Sequence, residues 1–419
     1  MIEPQYLRVK ARICVSMLIY VFGCIPIAYA KTVAPTSYRI TDLGTLGGND
    51  SWTLSNDWHS QLDGHILAPA INDRAEIIGY TQTGNGNVVP FLWKQGRMLP
   101  LNVPHSWHIM EIDPKTASSC RLIRIDSRGD IVGYAQKHND NNVPTVFYFL
   151  TDGNDFRLLN NNSKSVAILY GDSLIQGKTG SKYGLSTRKR SVSVLHQVEK
   201  SGAQIYSTNN RGQIAGSFEI DDNGEPKRIV AVLWNNGRRV TLGVAKGFQN
   251  SIAYRINDKG QAIGVNFYYA NADGKHISAE EYSNPARLVH PTYWHSAGFI
   301  WTGGRMRQLP SPSGYTLCLP TAINEHGDVV GTVGNDHQKN SRAVLWKQGR
   351  VYDLNTLIPA SSAWILRDTA GINNRGQIVV TGYSKTKMVK GWETNNGVPI
   401  QQPEKHVLLL TPEANSPIN

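Results

Sequence analysis

The sequence predicts an all-β protein built from one repeated unit of four short strands. Six segments share a tight-turn motif close to Ile-Asn-x-x-Gly-x-Ile, and an apolar strand ending in tryptophan follows most of them. A second tight turn and a further short strand come after that. Each unit is therefore strand a, tight turn, strand b, loop, strand c, tight turn, strand d. Such units in series are typical of the blades of a β-propeller rather than of solenoid coils.

The chemistry of the turns explains the motif without a functional role. The six motifs begin at Ile71, Ile125, Thr208, Ile256, Ile323 and Ile372. The Asn side chain can bond the backbone two residues on, and the Gly suits a left-handed position, so Ala75 in the first motif departs from the pattern. We expect a structural role, not a ring of ligands, for Asn72, Asn209, Asn257, Asn324 and Asn373, with Asp126 as the variant. Packing between blades is expected for the tryptophans of strand c, Trp93, Trp234, Trp301 and Trp346.

The spacing of the motifs sets the expected number of blades. Successive motifs start 54, 83, 48, 67 and 49 residues apart. Within the longest gap, a segment from Ile168 echoes the turn motif and a segment from Val192 echoes strand c. Counting this degenerate unit gives seven blades, which we favour. Leaving it out gives six blades with an inserted loop.

The two ends of the repeat region predict how the ring closes. The segment from Tyr38 (YRITDLG) is a strand d with no unit before it, and the last unit has no recognisable strand d. The N-terminal strand would therefore complete the last blade and leave no unpaired edge. Strand c of that blade is expected at His406 (HVLLL), with Val389–Trp392 as the alternative.

The first thirty residues are predicted to be a signal peptide. Three basic residues precede an apolar run from Ile13 to Ile27, and Ala28-Tyr29-Ala30 has the small-x-small form of a cleavage site. An uncleaved anchor and a lipoprotein at Cys24 are the alternatives. The mature chain is expected to be exported, periplasmic or extracellular, with no permanent membrane span. Residues 31–412 would form a single propeller domain, and 413–419 a C-terminal tail.

The net charge bears on which partners the protein binds. The formal net charge is +11, and removal of the signal peptide, with three basic residues and Glu3, leaves +9. Basic proteins are drawn to anionic polymers. The densest basic stretch is a candidate polyanion site, with a solvated loop as the alternative, and contains Lys178, Lys182, Arg188, Lys189 and Arg190. Nucleic acid is not the expected partner.

The motifs resemble those of the HAF-repeat family of bacterial extracellular repeat proteins. The pieces that carry the resemblance are DLGTLGG from Asp42, the Ile-Asn-x-x-Gly turns, DLNTLIP from Asp353 and HVLLLTP from His406. They recur in order over most of Tyr38 to Pro412. The resemblance implies export and a propeller-like fold, and it supplies no catalytic residues.

Strand direction predicts where a binding site lies. The a–b and c–d turns share one face and are tight, whereas the b–c and d–a loops share the other face and are long and variable. Binding residues commonly lie on variable loops held by a rigid frame. Candidate ligand-binding residues on that face are Trp58, His105, Trp107, His108, Tyr268, Tyr282, His290, Trp294 and His295. Exposed aromatic side chains with a few polar partners suit a glycan, a peptide or an envelope partner.

The favoured function is therefore a non-catalytic binding protein, expected to be a monomer without cofactor or metal. The alternative is an enzyme acting on a polysaccharide through the loop 267–297, where Glu280 and Glu281 lie near His290 and His295. Their spacing fits no metal motif such as His-Glu-x-x-His, and no nucleophile elbow or phosphate loop is present.

Two mature cysteines, Cys120 and Cys318, each lie five residues before a motif on strand a. We expect both to be free thiols, because non-adjacent blades hold them apart.

Overall fold

The computed structural model of the chain describes its strands and tight turns. It covers residues 37–53, 70–101, 119–138, 144–151, 156–158, 165–170, 173–178, 184–185, 203–220, 228–235, 238–270, 276–277, 293–335, 340–395 and 398–413. The chain divides into two compact units, Met1–Pro35 and Thr36–Asn419. All the described residues belong to the second unit. The predicted signal peptide lies outside them.

The described strands form seven antiparallel sheets, numbered here I to VII. After β1 (Tyr38–Asp42), sheet I contains β2 (Gly47–Trp52), β3 (Ile77–Thr83), β4 (Val88–Lys94) and β5 (Arg97–Pro100). Sheet II contains β6 (Ser119–Ile125), β7 (Ile131–His138), β8 (Pro144–Thr151) and β9 (Phe156–Leu158). Sheet III contains β10 (Ser165–Tyr170), β11 (Ser173–Lys178) and β12 (Gly184–Leu185). Sheet IV contains β13 (Gln204–Thr208), β14 (Ile214–Ile220), β15 (Arg228–Asn235) and β16 (Arg238–Gly243).

The remaining sheets follow in the same way. Sheet V contains β17 (Asn250–Ile256), β18 (Ala262–Ala270), β19 (His276–Ile277), β20 (Tyr293–Thr302) and β21 (Arg305–Gln308). Sheet VI contains β22 (Leu317–Ile323), β23 (Val329–Gly334), β24 (Arg342–Lys347) and β25 (Arg350–Asp353), followed by a 3-10 helix, Leu354–Thr356. Sheet VII contains β26 (Trp364–Ile372), β27 (Ile378–Asn395) and β28 (Val398–Pro412), together with β1. The all-β prediction is confirmed, and five of the described sheets have four strands.

Sheet III lies where the sequence predicted a degenerate unit. Its first two strands form a hairpin in which Ile168 pairs with Ile175, which matches the echo of the turn motif. The segment from Val192 that would supply strand c lies outside the described residues. Sheet III is thus the sheet with the fewest strands in the described part of the chain.

Sheet VII is assembled from both ends of the repeat region. Strand β1 pairs antiparallel with β28, from Tyr38 opposite Pro412 to Asp42 opposite Leu408. This is the pairing expected for the N-terminal strand. His406 lies in β28, whereas Val389–Trp392 belongs to β27, so the alternative for strand c was wrong.

Neighbouring sheets pack face to face through apolar side chains. Trp93 packs with residues of sheets I and VII, Trp301 with residues of sheets IV and V, and Trp346 with residues of sheets V and VI. Trp234 is also buried. The prediction that the tryptophans of strand c pack between units is confirmed for Trp93, Trp301 and Trp346.

A glycine in strand b permits this close packing. At Gly264, a Cβ would lie 1.9 Å from the carbonyl oxygen of Ile252 and 2.6 Å from the Phe299 ring. No side chain fits there, because atoms at these distances overlap. A Cβ at Gly79, Gly216, Gly331 or Gly382, in strand b of four other sheets, would lie 2.7 Å or less from a neighbouring atom, so Gly is a packing requirement there too.

Candidate functional site

Each turn asparagine holds its own turn closed. In the first motif, the Oδ1 atom of Asn72 accepts hydrogen bonds from the backbone N–H groups of Arg74 and Glu76, both at 3.0 Å. Asp126 does the same in the second motif, at 2.8 and 2.9 Å from Arg128 and Asp130. The predicted structural role of these residues is confirmed.

The amide nitrogens of the same asparagines link one sheet to another. Asn209 Nδ2 donates to the carbonyl oxygen of Asn257 at 2.8 Å, Asn257 to that of Asn324 at 2.9 Å, and Asn324 to that of Asn373 at 3.3 Å. Asn373 then donates to Asn72 at 3.1 Å. Asn72 donates to Asp126 at 2.9 Å. The links thus run from sheet IV through V, VI, VII and I to sheet II.

These links bring the a–b turns together on one side of the molecule, which we call the turn face. Because adjacent strands are antiparallel, the c–d turns lie at the same ends of the sheets. The opposite side carries the d–a and b–c connections and is called the loop face. Of the predicted ligand-binding residues, Tyr268, Trp294 and His295 are described, and they lie in β18 and β20 at this end of sheet V.

The loop face contains an aromatic pocket of about 210 Å³ beside the last strands of sheet V. Tyr268 and His295 are direct partners on β18 and β20, and their rings stack with centroids 4.9 Å apart and planes 16° apart. The Phe248 ring lies 5.7 Å from that of Tyr268, and Tyr315 also lines the pocket. The volume equals that of about seven water molecules in the liquid, which suits one ring-sized group.

Polar groups surround these rings. Gln308, Ser311 and Thr316 line the pocket together with the aromatic side chains, and Ser296 bonds the backbone N–H of Cys318 at 3.2 Å. An apolar ring with polar groups around it is the arrangement that fixes the orientation of a small ligand. The pocket can therefore hold one sugar ring or one peptide side chain by stacking and hydrogen bonding.

Two of these aromatic residues were missed in the sequence. Phe248 and Tyr315 each follow a glycine with positive φ, and each precedes a turn motif by eight residues. Trp364 stands at the same spacing before the motif of sheet VII. The recurrence of an aromatic residue at this position is the signal that would have identified them.

Several predicted site residues take positions in strands rather than loops. The loop expected at 267–297 is shorter, because β18 continues to Ala270 and β20 begins at Tyr293, which places Tyr268, Trp294 and His295 in the paired strands. The extended ladder satisfies backbone groups that a loop would leave to water. Trp52 and Trp364 likewise lie in strands, β2 and β26.

The other predicted site residues, apart from Lys178, lie outside the described part of the chain. They are Trp58, His105, Trp107, His108, Tyr282, His290, Glu280, Glu281, Lys182, Arg188, Lys189 and Arg190. Lys178 ends β11. Among the residues described, no group of histidine, cysteine, aspartate or glutamate side chains is arranged to hold a metal ion. No helix in the same residues is long and apolar enough to cross a membrane.

A polar cluster lies on sheet VII. The Tyr383 hydroxyl donates to Asp368 Oδ2 at 3.0 Å, and the guanidinium carbon of Arg367 lies 4.7 Å from the centre of the Tyr383 ring. Burial raises the pKa of Asp368, although the Tyr383 bond and the charges of Arg367 and Lys405 act to lower it. Burial likewise raises the pKa of Tyr383, and its bond to the Asp368 carboxylate adds to the effect. The cluster joins β26 to β27, and we assign it a structural role.

Comparison with known proteins adds a family match over part of the chain. The model of DUF3466, a family described as a protein of unknown function, matches residues 241–396. That segment runs from the end of β16 to the end of β27. No curated protein matches the chain.

Several solved structures are similar at low identity. The beta-propeller domain of the Trilobed protease from Pyrococcus furiosus is 9% identical, over 84% of this chain and 96% of that one, with a TM-score of 0.45. The six-bladed lectin from Aleuria aurantia is 11% identical, over 92% and 100%, with a TM-score of 0.30. The acylaminoacyl peptidase from Pyrococcus horikoshii is 10% identical, with a TM-score of 0.32 over 81% of this chain. This chain spans only 44% of that peptidase.

Proposed function

We propose that the chain is an exported, non-catalytic β-propeller that recognises a glycan or a peptide through its loop face. The aromatic pocket of Phe248, Tyr268, His295 and Tyr315 is the observation that carries this proposal. Stacked rings next to polar side chains bind sugars and peptide side chains by shape and contact area. The enzymatic alternative depends on Glu280, Glu281, His290 and His295, and the first three of these lie outside the described residues.

The proposed scaffold is a ring of seven blades closed by β1. The order of the asparagine links is that of neighbouring blades, and the link from Asn373 to Asn72 joins residues 301 positions apart. The pairing of β1 with β28 also joins the last sheet to the start of the repeat region. We also retain membership of the HAF-repeat family as a proposal, since its turn motif is the one that carries these links.

The test is binding to glycan and peptide arrays by the mature protein and by variants of the pocket. Tyr268→Ala and Tyr315→Ala should each lower ligand affinity at least about tenfold, because each removes a ring from the pocket. Tyr268→Phe and Tyr315→Phe keep the rings and serve as matched controls, so they should bind nearly as the parent protein does.

Two outcomes would contradict the proposal. If the alanine variants bind ligand normally but melt several degrees lower, the rings only pack against sheet V and do not bind ligand. If incubation with a bound glycan releases shorter products, the protein is an enzyme and the non-catalytic assignment is wrong.

A further inference from the structure

The turn face carries a basic arc that is scattered in the sequence. The c–d turns of sheets IV, V and VI each have a Gly followed by an Arg, namely Arg238, Arg305 and Arg350, and Arg307 follows on β21. No carboxylate occurs in these three turns. We call these four arginines and Lys347 the basic arc.

The arginines of the arc are not used within the fold. Arg238, Arg305, Arg307 and Arg350 are exposed, and none of them forms an ion pair with another described residue. Lys347 differs, since its Nζ atom lies 2.9 Å from Asp328 Oδ2. Four guanidinium groups are therefore free to bind an external anion.

Two residues of the arc, Arg307 and Lys347, line a groove of about 750 Å³ between sheets V, VI and VII. Arg307 lines one side, His326 and Lys347 come from sheet VI, and Arg375 comes from sheet VII. Asp328, which pairs with Lys347, is the carboxylate in the lining. The groove thus keeps a positive charge.

Amide groups accompany the cations. Gln308 and Gln348 are exposed and line the same groove. An amide can donate to and accept from hydroxyl groups, whereas a guanidinium group bonds carboxylate, sulfate or phosphate oxygens. A ligand that satisfies both has hydroxyl groups and anionic groups.

We propose that the basic arc and its groove bind an acidic polysaccharide. Packed sheets lie about 10 Å apart, so a single small anion contacts one turn, while a polymer contacts several. The c–d turns of the arc contain no aromatic residue, so they lack the stacking platforms that single-stranded nucleic acids use. The groove shares Gln308 and Leu309 with the aromatic pocket, but the arginines of the arc do not line that pocket, and the proposal does not depend on the function proposed for it.

The chain supplies a matched control for this proposal. The tetrapeptide Lys-Gln-Gly-Arg forms the c–d turn of sheet VI, ending at Arg350, and also that of sheet I, ending at Arg97. Arg97 is exposed but lies outside the arc. Arg350→Gln and Arg97→Gln therefore make the same chemical change in the same turn type at two places.

The experiment measures the affinity of the mature protein for size-defined heparin oligosaccharides by calorimetry. Affinity should rise with oligosaccharide length, and its dependence on salt should be steep. Arg305→Gln/Arg307→Gln/Arg350→Gln should weaken binding at least about tenfold and flatten the salt dependence. A triple control of equal charge change, Lys246→Gln/Lys385→Gln/Lys390→Gln, and Arg97→Gln should each change affinity less than about twofold.

Equal losses of heparin affinity in the arc variant and the control variants would overturn the proposal, because they would indicate attraction to net charge alone. Absence of heparin binding, or affinity that does not grow with length, would also overturn it. Parallel titrations with single-stranded DNA and with phosphatidylserine vesicles test whether the partner is an acidic polysaccharide rather than a nucleic acid or a membrane. Binding to either that is tighter than to heparin, and lost in the arc variant, would assign the arc to that partner instead.

Discussion

The asparagine at the second position of the turn motif shows how one side chain does two structural tasks. The Oδ1 atom of Asn257 bonds the backbone N–H of Gln261, while its Nδ2 atom donates to Asn324 in the next sheet. Asp126 closes its turn in the same way but has no amide to donate. The next sheet along the chain, sheet III, lacks the Ile-Asn-x-x-Gly motif.

Ala75 provides a test of the turn geometry. Its φ is +59°, in the left-handed region, where Gly occurs in the other five motifs. Ala75→Gly should raise the free energy of unfolding by about 0.5–1 kcal/mol, because it relieves the strain of a Cβ there. Gly260→Ala should lower it, since a Cβ would also lie 3.0 Å from Gln213 Oε1. Urea denaturation measures both, and an unchanged free energy for Ala75→Gly would count against the assignment.

Asn257→Asp separates the two tasks of the asparagine. The carboxylate keeps the acceptor for the turn, but it loses the donor and faces the carbonyl oxygen of Asn324. The variant should lose about 1–3 kcal/mol of unfolding free energy, the cost of leaving a buried acceptor unsatisfied. The reverse change, Asp126→Asn, should be close to neutral. Thermal melts measure both effects. Equal changes in melting temperature for Asn257→Asp and Asp126→Asn would contradict this account.

These residue-level features were predictable because they are local. An Asn bonds N–H groups two and four residues on, so its role follows from the motif alone. Arg305 and Arg307 lie in β21 of sheet V and Arg350 in β25 of sheet VI, so their separation along the chain hides the basic arc. The same reason applies to Tyr315, which joins the aromatic pocket of sheet V from the connection that leads to sheet VI.

At the scale of single elements, β28 holds the ends of the repeat region together. On one side it pairs with β1, and on the other with the long strand β27. His406 Nδ1 lies 2.8 Å from Asp42 Oδ1, which joins β28 to β1 through side chains as well. The pairing of the strands was predictable from the unmatched strand at Tyr38, but this contact was not, since it depends on register.

The His406–Asp42 pair should make stability depend on pH. Burial acts to lower the pKa of His406, but the bond to Asp42 and the charges of Asp42 and Glu404 outweigh it and raise the pKa. The stabilisation is therefore complete below the unfolded pKa of about 6.5 and is lost as pH rises through the folded pKa.

We expect the free energy of unfolding to fall from about pH 6 to about pH 8, and His406→Gln to flatten this dependence. Asp42→Asn should have the same effect, because it removes the charge that raises the pKa. Denaturation curves at both pH values provide the measurement. A fall of equal size in the parent and both variants would show that other groups cause it.

At the scale of the whole molecule, the positions of the two mature cysteines follow from the order of the sheets. Cys120 lies in sheet II opposite Ala135, and Cys318 lies in sheet VI opposite Val333, which is the same register. Cys318 is free and buried. It packs against Gly298 of sheet V, and burial raises its pKa to about 12.

Both thiols should therefore be free in the mature protein, and Cys318 should react only after unfolding. A thiol count on freshly purified, non-reduced protein before and after denaturation, with peptide mapping, measures this. An intramolecular bond between Cys120 and Cys318 in folded monomer would contradict the arrangement of the sheets, because a disulfide needs Cα atoms within about 7 Å.

Closure of the ring is the central claim, and a pair of engineered cysteines tests it most directly. Asn374 donates its backbone N–H to Asp73 Oδ1 at 2.8 Å, as Asn210 does to Asp258 at 2.7 Å. The second pair joins sheets IV and V and is the positive control. Asp73→Cys/Asn374→Cys, in a background without native cysteines, should crosslink within the monomer on oxidation as efficiently as Asn210→Cys/Asp258→Cys. Crosslinking of the control pair without the 73–374 pair would contradict a closed ring.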